Sequence, residues 1–458
     1  MKIIICGAGQ VGWQLARYLS TENNSVTVVD NNAALVRRIT DAMDVSGVAG
    51  FASHPDVLER AGARDADMII AATFSDEVNM VTCQVAHSVF EVPRKIARLR
   101  AQAYLDPEYS DLYRREHLPI DVIISPEREV AQAALRRLAA PASFDTESFI
   151  DDRVQLVGLS LGKDCAVLNT PLRQLSELFS TLRAVVVGVR RKGKLFVPHP
   201  NDQLFPGDQT YLLVATEDVP RTYEIFGKSN PNTGRAIIIG GGNVGLFVAE
   251  ALETGTRRVR AKVIEVDRKR AEVVADALER TIVLNGDGLD MALLEEANID
   301  KADAVLAVTD DDKTNLLTCA RAKAAGAPLT ISLVNDPSLT TLLEPLGIDA
   351  FINPRATTVS SILRHIRHGS VHKVYSIGDA EAEVIEAQVM GTSPIAGKLI
   401  RDIDWPEGAM VGTLKKRGEI LAPRGDTRIE EGDVLTVFAL SIDVPVIEQL
   451  FQVSIDFF

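Results

Sequence analysis

The chain begins with short apolar runs alternating with amphipathic stretches. KIIIC (2–6), VTVVD (26–30) and DMIIAA (67–72) have the content and the bounds of β-strands. QVGWQLARYLS (10–20), ALVRRITDAM (34–43) and EVNMVTCQVAHSVF (77–90) carry apolar residues at helical spacing. Alternation of this kind predicts a parallel sheet with helices on both faces. After Pro126 and Pro354, two further runs, EREVAQAALRRLAA (127–140) and ATTVSSILRHIRHG (356–369), read as helices that open on a proline. A different pattern follows each of them. RAVVVGVRRKGKLFVPH (183–199) and GAMVGTLKKRGEILAPR (408–424) read as strand, basic turn, strand, and Pro206-Gly207-Asp208 and Glu431-Gly432-Asp433 mark turns before the apolar strands YLLVA and VLTVF.

The pattern occurs twice. Gly7, Gly9 and Gly12 fall on Gly240, Gly242 and Gly245, and Asp30 falls on Glu265. DADMIIAATFSDEVNM (65–80) falls on KADAVLAVTDDDKTNL (301–316), setting Thr73 on Thr309 and Asn79 on Asn315. GVRRKGKLFVPHPNDQLFPGDQTYLLV (188–214) falls on GTLKKRGEILAPRGDTRIEEGDVLTVF (412–438). The chain is thus a duplicated unit, each copy with a larger first part and a smaller second part. The copies meet near the polar stretch GKSNPNTG (227–234). The expected domains are 1–126, 127–228, 232–354 and 355–458.

Composition narrows the function. A chain of 458 residues is expected to form about two to four domains. A net charge of -14 argues against a nucleic-acid partner, which needs clustered cations, and against anionic lipid. No apolar run approaches the roughly 18 residues that span a bilayer, and MKIII is too short for a signal peptide, so a cytoplasmic location is expected, with any membrane reached through another protein. Cys6, Cys83, Cys165 and Cys319 form no CxxC, and Cys83 and Cys319 hold matching places in the two copies, as small buried hydrophobes do.

The candidate chemistry lies in the glycines. Each triplet follows a strand and opens a helix: the first glycine makes a tight turn, the second admits a pyrophosphate to the backbone, and the third allows close helix–strand packing. The pyrophosphate would lie on free N–H groups at a helix N-terminus. Asp30, and Glu265 in the second copy, stand where a carboxylate accepts ribose hydroxyls and repels a 2′-phosphate, so NAD(H) is expected over its 2′-phosphorylated form. The copies differ beyond this. Asp287 stands near the adenine position where the first copy has Phe51, and Arg98, a cation for a phosphate, is set against Ser332.

GAGQVG with Asp30, SHPDVLERAGARDADM (53–68), SDEVNMVTCQVA (75–86) and the second GGGNVG closely resemble the RCK (or KTN) family of cytosolic regulators of bacterial Trk-type potassium transporters, over essentially the full length. The resemblance implies an α/β fold: two Rossmann-like, parallel-sheet N-lobes, each followed by a small α+β C-lobe. It implies binding of NAD(H) and, in some members, ATP or ADP. It implies a homo-oligomeric ring beneath a Trk-type membrane subunit, which gates potassium uptake. It also makes the two helices after Pro126 and Pro354 crossover helices that pair N-lobes, the other reading being helices that pack on their own sheets. Carried onto this sequence, the nucleotide positions are Gly7, Ala8, Gly9, Gln10, Val11, Gly12, Asp30, Thr73, Phe74 and Arg98 in the first copy. In the second they are Gly240, Gly241, Gly242, Asn243, Val244, Gly245, Glu265, Asp287, Thr309 and Asp310.

The rival is an NAD-dependent oxidoreductase acting on a small molecule, which needs a proton donor or acceptor at the nicotinamide. Of the 7 histidines only His54, in ASHPDVL, stands near the nucleotide edge, where helix capping or a ribose contact is its expected role. His365, His368 and His372, with Arg364, Arg367 and Lys373, read as a solvated basic face or helix end rather than a metal site, since no carboxylate or cysteine accompanies them. The smaller parts carry no convergent acid–base set, so a sensor is expected rather than an enzyme. The basic turns RRKGK and KKRGE are polar hairpin tips or contacts to a phosphate or a partner.

Overall fold

The computed structural model describes residues 1–20, 24–228, 234–255, 259–366, 371–378 and 381–451. Most of the polar stretch 227–234, and Arg367 and His368 of the basic face, lie outside these residues. The chain forms two compact units: Met1–Ala131 with Asn353–Ile366, and Gln132–Ile352 with Arg367–Phe458.

The first unit is built on six parallel strands, β1 (Lys2–Cys6), β2 (Ser25–Asp30), β3 (Ser46–Ala49), β4 (Met68–Ala71), β5 (Arg94–Arg98) and β6 (Val122–Ile124), in the order β3-β2-β1-β4-β5-β6. Strand residues alternate between two buried faces, which is why the runs are apolar throughout. Ile3 and Ile5 pack with Leu15 and Leu19 of the helix Gln10–Ser20, whereas Ile4 and Cys6 pack with Leu58 and Ala86 on the other side. The order reverses between β1 and β4, opening a crevice at the carboxyl ends of these strands.

The helix Pro354–Ile366, from the second copy of the repeat, completes this unit. Val359, Ile362, Leu363 and Ile366, spaced i, i+3, i+4 and i+7, share a core with Ile3, Leu15 and Leu19. Neither a helix folded on its own sheet nor a contact between chains is needed to bury this face: the helix crosses to the other N-lobe of the same chain. In the helix Pro126–Ala139 the boundary between the two units falls after Ala131.

The second unit contains another six-stranded parallel sheet and two antiparallel sheets. β7 (Asp145–Phe149), β8 (Val154–Ser160), β9 (Ala184–Arg191), β10 (Lys194–Phe196) and β11 (Gln209–Ala215) pair in the order β10-β9-β11-β8-β7. β12 (Arg235–Ile239), β13 (Arg260–Glu265), β14 (Ile282–Asn285), β15 (Ala304–Ala307), β16 (Leu329–Leu333) and β17 (Ala350–Ile352) repeat the first sheet in the order β14-β13-β12-β15-β16-β17. β18 (Val371–Ile377), β19 (Ala382–Gln388), β20 (Ala409–Lys416), β21 (Glu419–Leu421) and β22 (Val434–Leu440) form the second antiparallel sheet, β18-β19-β22-β20-β21. The fold is therefore a duplicated α/β N-lobe and α+β C-lobe.

The two C-lobes share one core, in which Phe149, Leu156 and Leu213 pack with Ile377, Val384 and Phe438. One glycine in β9 and one in β20 let the sheets approach: Gly188 pairs with Tyr211 in its ladder, whereas Gly412 lies at the irregularity between Val411 and Thr413. A Cβ on Gly188 would lie 2.7 Å from the Phe438 ring, and one on Gly412 would lie 2.2 Å from Leu213 Cδ1. The hairpin tips are reciprocal too: Arg190 Nη2 meets Glu381 at 2.7 Å, and Lys415 Nζ meets Asp151 at 3.5 Å. Other tip charges are held nearby, Arg191 by Asp208 at 2.7 Å and Lys416 by Glu430 at 3.1 Å. These tip cations pair with carboxylates of the C-lobes. Among the described residues no helix is long and apolar enough to cross a membrane.

Candidate functional site

In both N-lobes a glycine turn lies between the first strand and its helix. Gly7 has φ 114° and Gly240 φ 103°, a region open to glycine. A Cβ on Gly12 would sit 1.8 Å from the Gly7 carbonyl oxygen, and one on Gly245 1.9 Å from that of Gly240, so the turn closes on its own helix only without a side chain there. Gly9 and Gly242 are different: nothing lies within 4 Å of where a Cβ would be. These two glycines leave open space over the start of the helices Gln10–Ser20 and Asn243–Thr254. The first helical bonds run from Trp13 N–H to Gly9 O (2.8 Å) and from Leu246 N–H to Gly242 O (3.0 Å). The first-turn amides, which include those of Gln10 and Val11 and of Asn243 and Val244, therefore have no acceptor within the helix, and the positive end of the helix dipole faces the crevice.

An acidic side chain anchors each turn. Asp30 Oδ2 accepts from Ala8 N–H at 2.7 Å, and its Oδ1 from Asn32 N–H at 2.8 Å. Glu265 Oε2 accepts from Gly241 N–H at 2.6 Å, and its Oε1 from Asp267 N–H at 2.8 Å. Glutamate is longer by one carbon, and the turn compensates. Where the first lobe has Ala8 the second has Gly241, whose Cβ would lie 3.1 Å from Glu265 Cβ. Each carboxylate keeps lone pairs for further donors.

The far wall of the crevice is fixed by two asparagines that the repeat aligns but that sequence reasoning gave no role. Asn79 Oδ1 accepts from Thr73 N–H (2.9 Å) and the Thr73 hydroxyl (2.6 Å), while its amide donates to Arg98 O at 2.8 Å. Asn315 does the same for Thr309 (2.9 and 2.7 Å) and donates to Leu333 O at 3.0 Å. This tie corrects the pairing of Arg98 with Ser332. Leu333, only 5% exposed, takes the place of Arg98, and Ser332 matches Ala97, as the partners Ala71–Ala97 and Ala307–Ser332 require.

Around these shared parts the rims differ. In the first lobe Phe74 is 85% and Phe51 is 51% exposed, and the Arg100 guanidinium lies 5.8 Å from the Phe74 ring centroid. Arg98 ends β5 with its Nε buried and without a partner among the described groups, as are Ser125 Oγ and Glu127 Oε2 at the end of β6. Burial, then the neighbouring Arg100, pushes the Arg98 guanidinium below its ordinary pKa, so an anion placed there would be stabilised. In the second lobe Asp287 and Asp310, both exposed, replace the two phenylalanines. Its cation comes from the opposite flank: Arg270 Nε donates to Gly241 O at 2.7 Å and Nη2 to Asn243 Oδ1 at 3.2 Å. Sequence reasoning missed Arg270, which stands in the first turn of the helix Arg268–Ala277, where the first lobe has Leu35. The residues present fit a dinucleotide in both lobes: an open glycine, an anchored carboxylate and helix-start amides, with a half-buried arginine in the first lobe whose Nε has no partner among the described groups.

His54 does not cap its helix through its side chain. It sits at the N-cap of Pro55–Arg60 without a side-chain bond, and its ring lies 5.4 Å from that of Phe51. Cys83 and Cys319 are buried, and burial pushes each thiol up to about 12.

Residues 3–126 and 236–354 match the TrkA-N domain, and residues 156–227 and 384–452 the TrkA-C domain. The chain is 46% identical over 458 residues to the Trk system potassium uptake protein TrkA of Azorhizobium caulinodans, covering 100% of both chains. It is 36% identical over 462 residues to the protein of that name from Halomonas elongata, again over 100% of both. Among solved structures it is similar to the GsuK RCK domain, with a TM-score of 0.59 and 18% identity over 98% of this chain and 94% of that chain. It is also similar to the GsuK channel bound to NAD, with a TM-score of 0.59 and 19% identity over 98% and 78%.

Proposed function

The chain belongs to the TrkA family of Trk system potassium uptake proteins, and we propose that it is their cytosolic nucleotide-sensing subunit, binding NAD(H), and also ATP or ADP, to gate a Trk-type membrane transporter. One observation carries the reading. Both copies keep the same anchored glycine turn, with Asp30 on Ala8 and Glu265 on Gly241, and each opens on a crevice at the switch point of its sheet.

In this reading the helix-start amides hold the pyrophosphate, and Asp30 or Glu265 takes the adenosine ribose hydroxyls. Thr73 and Thr309 line the far wall. When bound, the nucleotide supplies charge and contact area, not a reaction. The nearest histidine in sequence, His54, lies with its ring tilted against that of Phe51, and its side chain makes no cap bond to the helix it precedes. A sensor works by unequal affinity: the nucleotide shifts the arrangement of the lobes only as far as it binds one arrangement more tightly than the other. Copies of the chain assembled as a ring would pass that shift to the membrane partner.

Calorimetric titration with NADH, NAD+, ATP and ADP, on the intact protein and on Asp30→Ala and Glu265→Ala, tests this. The expected result is NAD(H) binding that weakens in each variant, with no consumption of NADH. Steady turnover of NADH with a small-molecule substrate would favour an oxidoreductase instead. No binding of any nucleotide would overturn the sensing role.

A further inference from the structure

The two cradles share their backbone ties, yet the far halves of their crevices carry different side chains, Phe74 and Arg98 in the first against Asp310 and Leu333 in the second. A ligand whose adenosine ribose lies on Asp30 or Glu265, and whose pyrophosphate lies on the glycine turn, must run its far end past the strand on the other side of the switch point. In the first lobe that is β4, followed by Phe74, with Arg98 ending the next strand. In the second it is β15, followed by Asp310, with Leu333 ending the next strand.

We propose that the lobes select different ligand classes: the first accepts nucleoside di- and triphosphates as well as dinucleotides, and the second accepts dinucleotides and excludes a terminal phosphate, with Asp310 as the excluding residue. This rests on the reading that both cradles bind nucleotide. The chemistry follows from what reaches the far end. In a dinucleotide it is a second ribose, whose hydroxyls donate to a carboxylate. In ADP or ATP it is a terminal phosphate with a charge near -2 and acceptor oxygens only. Asp310 suits the first and repels the second, and Leu333 offers no cation in compensation. Arg270 does not supply one: it is bonded to Gly241 O and Asn243 Oδ1 on the adenosine flank. In the first lobe the Arg98 Nε is buried without a partner among the described groups, Arg100, held by Glu127 at 3.0 Å, lies over Phe74, and no acid takes the position of Asp310.

The test is titration of the full-length protein with NADH and with ATP, in chelator so that no divalent cation masks phosphate charge. Asp30→Ala weakens the first lobe and Glu265→Ala the second. The expected result is that Asp30→Ala keeps one NADH site and loses tight ATP binding, while Glu265→Ala keeps both ligands on the remaining lobe. Adding Asp310→Asn to Asp30→Ala then improves ATP binding by about tenfold or more, with a smaller change for NADH. Asp310 is exposed, so its folding cost is small, and adding Leu333→Arg should extend the gain. Tight ATP binding in Asp30→Ala, or an ATP-to-NADH ratio unmoved by Asp310→Asn, would overturn the proposal. So would a single NADH site in the intact protein that vanishes with Asp30→Ala. No nucleotide on the intact chain would instead overturn the reading beneath it.

Discussion

The C-lobes and the N-lobes have treated the same duplication differently. The two C-lobes pack on each other, and there the copies have stayed complementary. Gly188 receives Phe438 and Gly412 receives Leu213, while Arg190 pairs with Glu381 as Lys415 pairs with Asp151. Each N-lobe instead opens its crevice to solvent. There the ties inside the sheet are kept, Asn79 with Asn315 and Asp30 with Glu265, while the rim has changed from Phe51, Phe74 and Arg98 to Asp287, Asp310 and Leu333. A surface that must fit its own copy limits both halves. A rim that faces only a ligand is free to change on one side.

The most damaging change on this view strikes the shared parts. Gly12→Ala and Gly245→Ala each force a Cβ to within 2 Å of a backbone carbonyl oxygen that cannot move without opening the turn. Each should cost more than about 4 kcal/mol in its lobe and abolish nucleotide binding there. Gly9→Ala and Gly242→Ala meet nothing, so melting should hardly change while ligand affinity falls. Thermal unfolding with titration reads both. Equal loss of stability at Gly9 and Gly12 would show that the turn, not the crevice, sets the need for glycine.

Next in size is the asparagine tie. Asn79→Ala leaves the Thr73 amide and the Arg98 carbonyl without their partner, and Asn315→Ala does so for the Thr309 amide and the Leu333 carbonyl. Each should cost about 2–4 kcal/mol, and nearly the same in both lobes. Denaturant melts of the two variants compare them directly, and a large inequality would mean that the lobes have diverged in their frames as well as their rims.

How much of this was legible in the sequence depends on what each residue must satisfy. Strands with both faces buried announce themselves as apolar runs, and the glycine turns as a motif at a strand end. Register within such a run does not: KIARLR and LTISLV both alternate into buried faces, so counting set Arg98 on Ser332. The carbonyl held by Asn79 or Asn315, together with the strand pairing, moves the match to Leu333. The helix 354–366 displays its apolar stripe, but a stripe does not say which sheet it covers, and the sheet proves to belong to the other copy. Arg270 was missed because the search for a cation followed the strand ends, whereas this one reaches the turn from a helix.

A smaller effect is expected where the C-lobes meet. Gly412→Ala pushes on Leu213, and Gly188→Ala on the Phe438 ring, both side chains that can shift. Overpacking of this kind should cost about 1–3 kcal/mol at each site, more at Gly412, where the added Cβ would come closer to its neighbour. Melting of the single and double variants checks this: a double variant less destabilised than the sum would show that one adjustment of the sheets relieves both sites.

The smallest expected effect separates the first N-lobe from the second by pH. His365 lies on the helix that crosses into the first lobe, and its imidazole is pushed below the ordinary value of 6.5 by burial, then by Arg364 and Arg94. At the matching position of the helix Pro126–Ala139 stands Arg137, paired with Asp145 at 3.1 Å. A histidine with a lowered folded pKa takes up its proton more readily in the unfolded chain. Its contribution is therefore intact above 6.5 and is lost as pH falls through that value towards the folded one. Stability of the first unit should decline over this acid range, and His365→Gln should flatten the decline without changing the plateau above it. Melting temperature against pH for the two proteins, with hydrogen exchange read in the crossing helix, measures this. Parallel profiles would place the acid sensitivity elsewhere in the chain, and exchange that accelerates equally in both lobes would remove the distinction between them.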